Sequence, residues 1–528
     1  MATPKNKGII ERPPIITIMG HIDHGKSTLL DYIRKSNIVA RESGGITQHL
    51  SAYEVIHPAK EGGTKTITFL DTPGHQAFSN MRSRGANIAD IAVLVVSAED
   101  GVKQQTTEAL KCIKDAGIPY IVAITKIDKP NANVERVKQD LAEHEIYIEG
   151  YGGEVPCISI SSKSGAGVPE LLDMMLLVAE LAELKGDKTK PAEGVVIESS
   201  LNPKRGISAT LIVEEGTLKK GSFIVAEDSI APVRMMENFL GKNIDEASFS
   251  SPIRITGWQK IPTIGAPFKT YPSKKEAETA VESYLSGMRL PAATGVAQAG
   301  HAKQQASAKT KAPQVQKPNG EEGEEVQVVT IPLIIKTDVV GTLEAIEKEI
   351  GNLDTEKVKI KLVQKGVGTI SENDIKTVAG SQEPIIIGFH VNVDGSVPQQ
   401  ALRYGAIIKT FDVIYKITEW LQEEIVRRTP KVETEEMTGQ AEILRVFSKN
   451  KNKQVVGGRV SKGVLKIKSI VKIIRREHEI GRGKILELQR QKLPADEVIE
   501  GNEFGVMIDS KIEIARGDVV ESFVLTQK

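Results

Sequence analysis

Five β-branched apolar runs punctuate the first third of the chain: "IITIM" (15–19), "KTITFL" (65–70), "IAVLVV" (91–96), "YIVAI" (120–124) and "VPCISI" (155–160). Each leads into a turn or an amphipathic stretch, the pattern of a mostly parallel α/β sheet. From about 192 to 275 the pattern shifts to short alternating strands such as "ATLIVEEG" and "GSFIVAEDS", with glycine at the turns and little helical periodicity. This predicts a small β-barrel. Residues 291–325 hold almost no large apolar side chains, cannot support a core and read as a mobile linker. The α/β alternation resumes at 326 with "VVTIPLIIKTD", "VKIKLVQKG" and "EPIIIGFHV", separated by helical segments such as "GTLEAIEKEIG". Ile414, Ile417, Leu421 and Ile425 mark one helix face, ended by Pro430, in a helix joining this unit to the last domain.

From 432 onward the alternating strands return. "KGVLKIKSIVKII" echoes "EGTLKKGSFIVAE" of the first barrel, and "IARGDVVESF" echoes "TIGAPFKTY", so two barrels of related design are expected. The expected fold class is multi-domain α/β plus β, with a phosphate-loop domain over 13–190, a β-barrel over 191–284 and a linker over 285–325. A small α/β/α sandwich over 326–412, a connecting helix over 413–430 and a second β-barrel over 431–528 complete it.

Length and composition agree with several domains. The chain has 528 residues, and its 69 Lys plus Arg balance 69 Asp plus Glu, so no global attraction to nucleic acid or acidic lipid is expected. Cys112 and Cys157 lack partners at metal-ligand or redox spacing and read as small core residues of a reducing compartment. The start shows neither an apolar signal core nor an Arg-rich presequence, and the longest apolar stretch, 88–96, is too short to span a bilayer. A cytoplasmic protein with no membrane partner is expected.

The chemistry concentrates in four motifs, each directly after a predicted strand. "GHIDHGKS" matches the phosphate-loop pattern and supplies Gly20, His21, Ile22, Asp23, His24, Gly25, Lys26 and Ser27. The two glycines let backbone N–H groups face phosphate oxygens, Lys26 adds charge at the β and γ phosphates, and Ser27 offers a hydroxyl to Mg²⁺. In "DTPGH", Asp71 orients Mg²⁺ through water and Gly74 offers its N–H to the γ phosphate, with Thr72, Pro73 and His75 alongside. "TKID" brings Thr125, Lys126, Ile127 and Asp128, whose carboxylate can accept the two guanine donors that adenine lacks; "SSK" adds Ser161, Ser162 and Lys163. Guanine nucleotide, GTP or GDP, with Mg²⁺ is the expected ligand set.

These motifs, with "ARESGGITQHLSAYEV", "MRSRGA" and "EDGVKQQT", resemble translational GTPases, and the resemblance is strongest to the bacterial translation initiation factor two family. It runs from about residue 13 to the end, and the family's long N-terminal extension has no counterpart, so the chain reads as the family's core. The resemblance implies ribosome-activated GTP hydrolysis, recruitment of formylmethionyl initiator tRNA to the small subunit, and promotion of subunit joining. It implies contacts with both ribosomal subunits, their RNA and other initiation factors, by a monomer. Thr47 would be the switch threonine on Mg²⁺, Ile22 and Ile46 an apolar gate, and Asp23 a helper for a monovalent cation, although a local turn carboxylate accounts for Asp23 nearly as well. His75 would orient the attacking water once ribosomal RNA supplies a phosphate; the competing reading makes it only the start of a helix.

Two departures from the family pattern stand out. Thr125 replaces an Asn that contacts guanine N7 and braces the phosphate loop, and a hydroxyl can do only part of this. In the last barrel, Arg490, Lys492, Glu503 and Gly505 match the motif around the formylmethionyl end, whereas Phe504 and Arg459 stand where cysteines are usual. Residues 441–492 hold 15 Lys or Arg against 4 Asp or Glu, which suits RNA phosphate contacts or a solvated barrel wall. The middle α/β unit shows no constellation of nucleophile, base and metal ligands. Another tRNA-carrying translational GTPase, or a non-catalytic GTP-binding RNA or ribosome assembly protein, remains the alternative.

Overall fold

The computed structural model describes residues 9–35, 46–58, 62–289, 329–355, 357–429, 433–450 and 452–527. The chain divides into two units, 1–428 and 429–528.

A six-stranded sheet organises the start of the first unit, ordered Ser51–Pro58, Thr64–Asp71, Ile15–Gly20, Ile91–Ser97, Tyr120–Thr125 and Cys157–Ser159. The first pair is antiparallel and the others are parallel. Helices α1 (Lys26–Arg34), α2 (Ser79–Ile88), α3 (Gln104–Ala116), α4 (Val134–Glu143) and α5 (Val168–Leu181) cover both faces. Successive strand residues therefore enter different cores. Val93 and Val95 pack with Leu29 of α1 and Leu171 of α5, while Ala92, Leu94 and Val96 pack with Ile113 of α3 and Leu141 of α4. Burial on both faces explains the unbroken apolar run "IAVLVV".

The next part is antiparallel, seven strands in the order Ser229–Pro232, Phe223–Ala226, Pro267–Tyr271, Glu193–Asn202, Gly206–Glu215, Pro252–Thr256, Met236–Asn238. Helix α6 (Lys274–Arg289) follows and seats Ala277 and Val281 against Val225 and Ile230. It crosses residue 285, where the sequence pattern places the start of the linker. So few apolar residues on a polar helix leave that pattern silent. The remaining linker residues expected at 291–325 lie outside the described residues.

A four-stranded parallel sheet then runs Val358–Val367, Val329–Thr337, Ile385–Phe389, Ile407–Phe411. Helices α7 (Val340–Gly351), α8 (Glu372–Val378), α9 (Val397–Tyr404) and α10 (Ile414–Arg428) complete the sandwich. Ile385 and Ile387 face α7 and α10, whereas Ile386 faces α8 and α9. The apolar face of α10 is buried as the spacing predicts, but against this sheet. The helix is thus also a layer of the middle unit. The same core continues through Leu343 and Ile346 of α7 to Phe78 and Met81 beside the first sheet.

The last unit is a closed antiparallel ring of Glu433–Asn450, Val519–Gln527, Ile470–Arg475, His478–Arg490, Glu503–Ser510 and Lys453–Lys466, the last strand pairing back to the first. The sequence echo has a topological basis. In each barrel the strand of the first echo pairs with that of the second, Phe223–Ala226 with Pro267–Tyr271 and Ile470–Arg475 with Val519–Gln527. In each, the second then pairs with the opening strand.

Candidate functional site

The loop between the strand Ile15–Gly20 and α1 curls as its glycines allow. Gly20 has φ 151°, and a Cβ there would lie 2.3 Å from the Val95 carbonyl oxygen. Lys26 opens α1, is buried, and donates to the His21 carbonyl at 2.5 Å. Burial lowers its pKa to about 8, opposed by Asp71. A lysine so desolvated gains strongly from an arriving phosphate. His24 is also buried, and desolvation, with His21 next to it, lowers its pKa to about 4, so the imidazole is neutral.

Thr47 and Ser27 meet in this cleft, with their hydroxyl oxygens 3.1 Å apart. Two hydroxyls this close offer hard oxygen donors of the kind that suit Mg²⁺, and the buried carboxylate of Asp71, which does not line the cleft, lies close enough to act on Lys26. Gly74 packs against Lys26 and Ile22, and a Cβ on it would lie 2.6 Å from Lys26 Nζ. Its backbone therefore reaches the phosphate end of the cleft. Thr72 turns inward and donates to the Ile18 carbonyl at 2.8 Å.

His75 does not line this cleft. Its Nδ1 accepts the Ala77 N–H at 3.1 Å, so the ring caps the short 3₁₀ turn Gln76–Phe78 that precedes α2. Burial lowers its pKa, opposed by Glu349 of α7. The helix-start reading describes the present position of the ring. Arg82, buried within "MRSRGA", donates to the carbonyls of Gly74 (3.1 Å) and His75 (2.6 Å) and pairs with Glu108, which holds the 73–75 loop in place.

Ile22, Asp23, Gly25, Lys26, Ser27, Ile46 and Thr47 line one cleft of about 430 Å³ together with Thr125, Lys126, Asp128, Ser162 and Lys163. Ser161 lies just beneath and donates to Asp128 Oδ1 at 2.6 Å, a bond that lowers the carboxyl pKa and orients it. Thr125 donates to the His24 carbonyl at 2.5 Å, with the Val96 carbonyl 3.3 Å away. The bracing expected of an Asn here is thus retained, and the hydroxyl is committed to it. Ile127 is bound through its backbone to Ile160.

In the last barrel, Arg490, Lys492, Glu503 and Gly505 share a cleft of about 710 Å³ with Phe504 and Phe447. Gln491 and Lys492 both have positive φ in the two-residue turn between paired Arg490 and Leu493. Arg490 donates to Asn502 at 2.9 Å, and Arg459 donates to the Gly501 carbonyl at 3.0 Å. Phe504 is 5% exposed and belongs to the barrel core, so it fills volume at the cleft floor. The positive excess over 441–492 is partly cancelled by acids outside that window. Glu435 binds Lys472 and Arg482, Asp518 binds Arg475, and Glu513 binds Lys449.

Three family models match successive parts of the chain. The family model "Elongation factor Tu GTP binding domain" matches residues 11–180, "Elongation factor G domain 2" matches 191–270, and "Translation-initiation factor 2" matches 302–422. "Translation initiation factor IF-2" of Bacillus pumilus is 39% identical over 99% of this chain and 71% of its own length. The chain belongs to the translation initiation factor 2 family. The same-named protein of a Nitratiruptor species is 41% identical over 97% of this chain, which spans 58% of that relative. Among solved structures, GDP-bound aIF5B from Aeropyrum pernix aligns over 97% of this chain and 92% of its own, at 24% identity and TM-score 0.44. No helix among the described residues is long and apolar enough to cross a membrane.

The structure adds residues to this initiation factor family site that motif reading passed over. Gln105 Oε1 accepts the Ile22 N–H at 2.9 Å, and Arg34 stacks over the Tyr53 ring at 3.3 Å while lying 3.9 Å from Asp71. Gln105 lies within "EDGVKQQT", a stretch that names the residue but not its partner Ile22. Arg34 and Tyr53 meet only because α1 and the strand Ser51–Pro58 share a face of the sheet.

Proposed function

We propose that the chain binds GTP in the 430 Å³ cleft, carries formylmethionyl initiator tRNA on its last barrel, delivers it to the small ribosomal subunit and promotes subunit joining. GTP is hydrolysed on the assembled ribosome. The observation that carries this reading is the meeting of Ser27 and Thr47 hydroxyls 3.1 Å apart at one end of a cleft whose other end holds Asp128, in a chain of this family. Asp128 accepts the guanine N1–H and amino group, Lys126 covers the ring, and the loop from Gly20 to Ser27 cradles the phosphates. Mg²⁺, when bound by Ser27, Thr47 and, through water, Asp71, neutralises charge between the β and γ phosphates. Asp23 faces the same cleft, where a monovalent cation would sit. Arg490, Lys492, Glu503 and Gly505 form the pocket for the formylmethionyl end. The protein acts as a monomer in the cytoplasm, with other initiation factors as neighbours.

His75 is the catalytic residue. Its ring leaves the Ala77 N–H and turns toward the attacking water when a ribosomal RNA phosphate offers a better partner. GTP turnover measured with small subunits, large subunits and formylmethionyl-tRNA, singly and together, tests the whole reading: stimulation is expected in the full mixture, and its absence refutes it. His75→Ala should lower that stimulated rate by roughly 10²–10⁴ while leaving GTP binding nearly unchanged. Normal turnover in this variant would remove His75 from the chemistry.

A further inference from the structure

Three side chains far apart in sequence converge beside the nucleotide cleft. His49 belongs to the segment that carries Thr47, Asp338 follows the strand Val329–Thr337, and His390 follows the strand Ile385–Phe389. His49 Nε2 lies 3.4 Å, and His390 Nδ1 3.6 Å, from the same oxygen, Asp338 Oδ2. One ligand atom from each residue lies within 4.8 Å of the other two. A tetrahedral cation with bonds of about 2.1 Å separates its donors by roughly 3.4 Å. Two of the three edges therefore already match, and the third needs only a small ring movement.

The hydrogen bonds around the cluster leave the right atoms facing inward. Asp338 Oδ1 is taken by the Val339 N–H at 2.9 Å and the Thr342 hydroxyl at 3.3 Å, so Oδ2 remains for the two imidazoles. His390 Nε2 lies 2.9 Å from the Asp412 carbonyl, which makes that nitrogen the donor and leaves a lone pair on Nδ1. Such an outer hydrogen bond to a carbonyl is the usual support of a metal-bound imidazole. His49 Nδ1 is buried without a hydrogen-bond partner among the described residues, so Nε2 is the nitrogen that the cluster engages. Asp338 and His390 also line a cleft of about 330 Å³, which gives an entry path and room for water as a fourth ligand.

We infer that His49, Asp338 and His390 bind a divalent d-block cation of the zinc class, separate from the Mg²⁺ of the nucleotide site. Two imidazoles and one carboxylate select such an ion over Mg²⁺ or Ca²⁺, which take oxygen shells. The bound ion ties the Thr47 segment to the middle α/β unit. Gln48 reinforces the same junction, because its side chain binds both the Asp412 carbonyl (2.8 Å) and the Ile414 N–H (3.1 Å).

The test uses the whole chain, stripped with chelator and then saturated with Mg²⁺ and GDP so that the nucleotide site is filled. Co²⁺ titration should give one equivalent of tetrahedral visible absorption, abolished by one equivalent of Zn²⁺. His390→Asn and His49→Asn should each weaken Co²⁺ binding at least about tenfold. GDP affinity of His390→Asn should be unchanged, and the metal-free thermal transition serves as the fold control, with His390→Gln as the second variant. Absence of the tetrahedral band in the unaltered chain, or a band that persists in both His49 and His390 variants, overturns the site.

Discussion

Thr125 shows how one substitution divides a role in two. Its hydroxyl donates to the His24 carbonyl in a position where a longer amide could brace the loop and also reach guanine N7. Bracing is the part a short side chain can perform, and the site is buried, so the bond is shielded from water. Thr125→Val keeps the shape and removes the donor, leaving a loop carbonyl without this partner. A net loss of about 1.5 kcal/mol is expected, or roughly tenfold in GDP affinity by calorimetry. Unchanged affinity would mean that the bond does not order the loop. His75 makes a similar point from the other side: its conformation is set by a local cap, so the sequence motif names the residue while the cap determines where the ring rests.

Among elements, the segment that carries Thr47 and helix α2 are both bound to the middle α/β unit. Arg84 of α2 pairs with Glu344 of α7, and Lys348 of α7 donates to Ser79 of α2. Gln48 fills the start of α10, where the first N–H groups of a helix have no partner of their own. Gln48→Leu should leave the Ile414 N–H buried and unpaired, lowering the stability of the first unit by about 1–3 kcal/mol in urea unfolding. A variant as stable as the parent would show that water replaces the amide. The helix face Ile414, Ile417, Leu421, Ile425 was legible from its period. The partner it covers was not, because periodicity reports a buried face and says nothing about what buries it.

At the scale of the first unit, Glu198 joins three parts. It stands on the strand Glu193–Asn202, accepts the Gly341 N–H of α7 at 3.4 Å, and feels Arg84 of α2. Burial raises its pKa from 4.5 to about 8. Between those values the folded chain holds a proton that the unfolded chain has released, so stability falls as pH rises across the window. At pH 7 the cost is about 3 kcal/mol, taking 1.36 kcal/mol per unit above 4.5. Glu198→Gln should flatten the pH dependence of urea unfolding between pH 5 and about 8 and raise stability at its upper end. Parallel pH profiles for parent and variant would place the proton elsewhere.

The mostly parallel first sheet, the two strand-rich units and the motifs at the strand ends were legible in the sequence. In those cases the information is local: strands buried on both faces read as apolar runs, and each motif sits at the end of its own strand. Helix α6 escaped because, among its described side chains, Ala277 and Val281 of a polar segment are the apolar ones that pack with Val225 and Ile230. The pairing of Glu433–Asn450 with the distant Val519–Gln527, the seat of α10, and the convergence of His49, Asp338 and His390 were settled only by the tertiary fold. In sequence the middle unit shows no metal-ligand constellation, because two of the three residues lie apart within it and the third comes from the GTPase segment. Period and spacing record what each residue does with its neighbours along the chain. Which distant surfaces meet depends on packing summed over the whole fold, and no short stretch of sequence carries that sum.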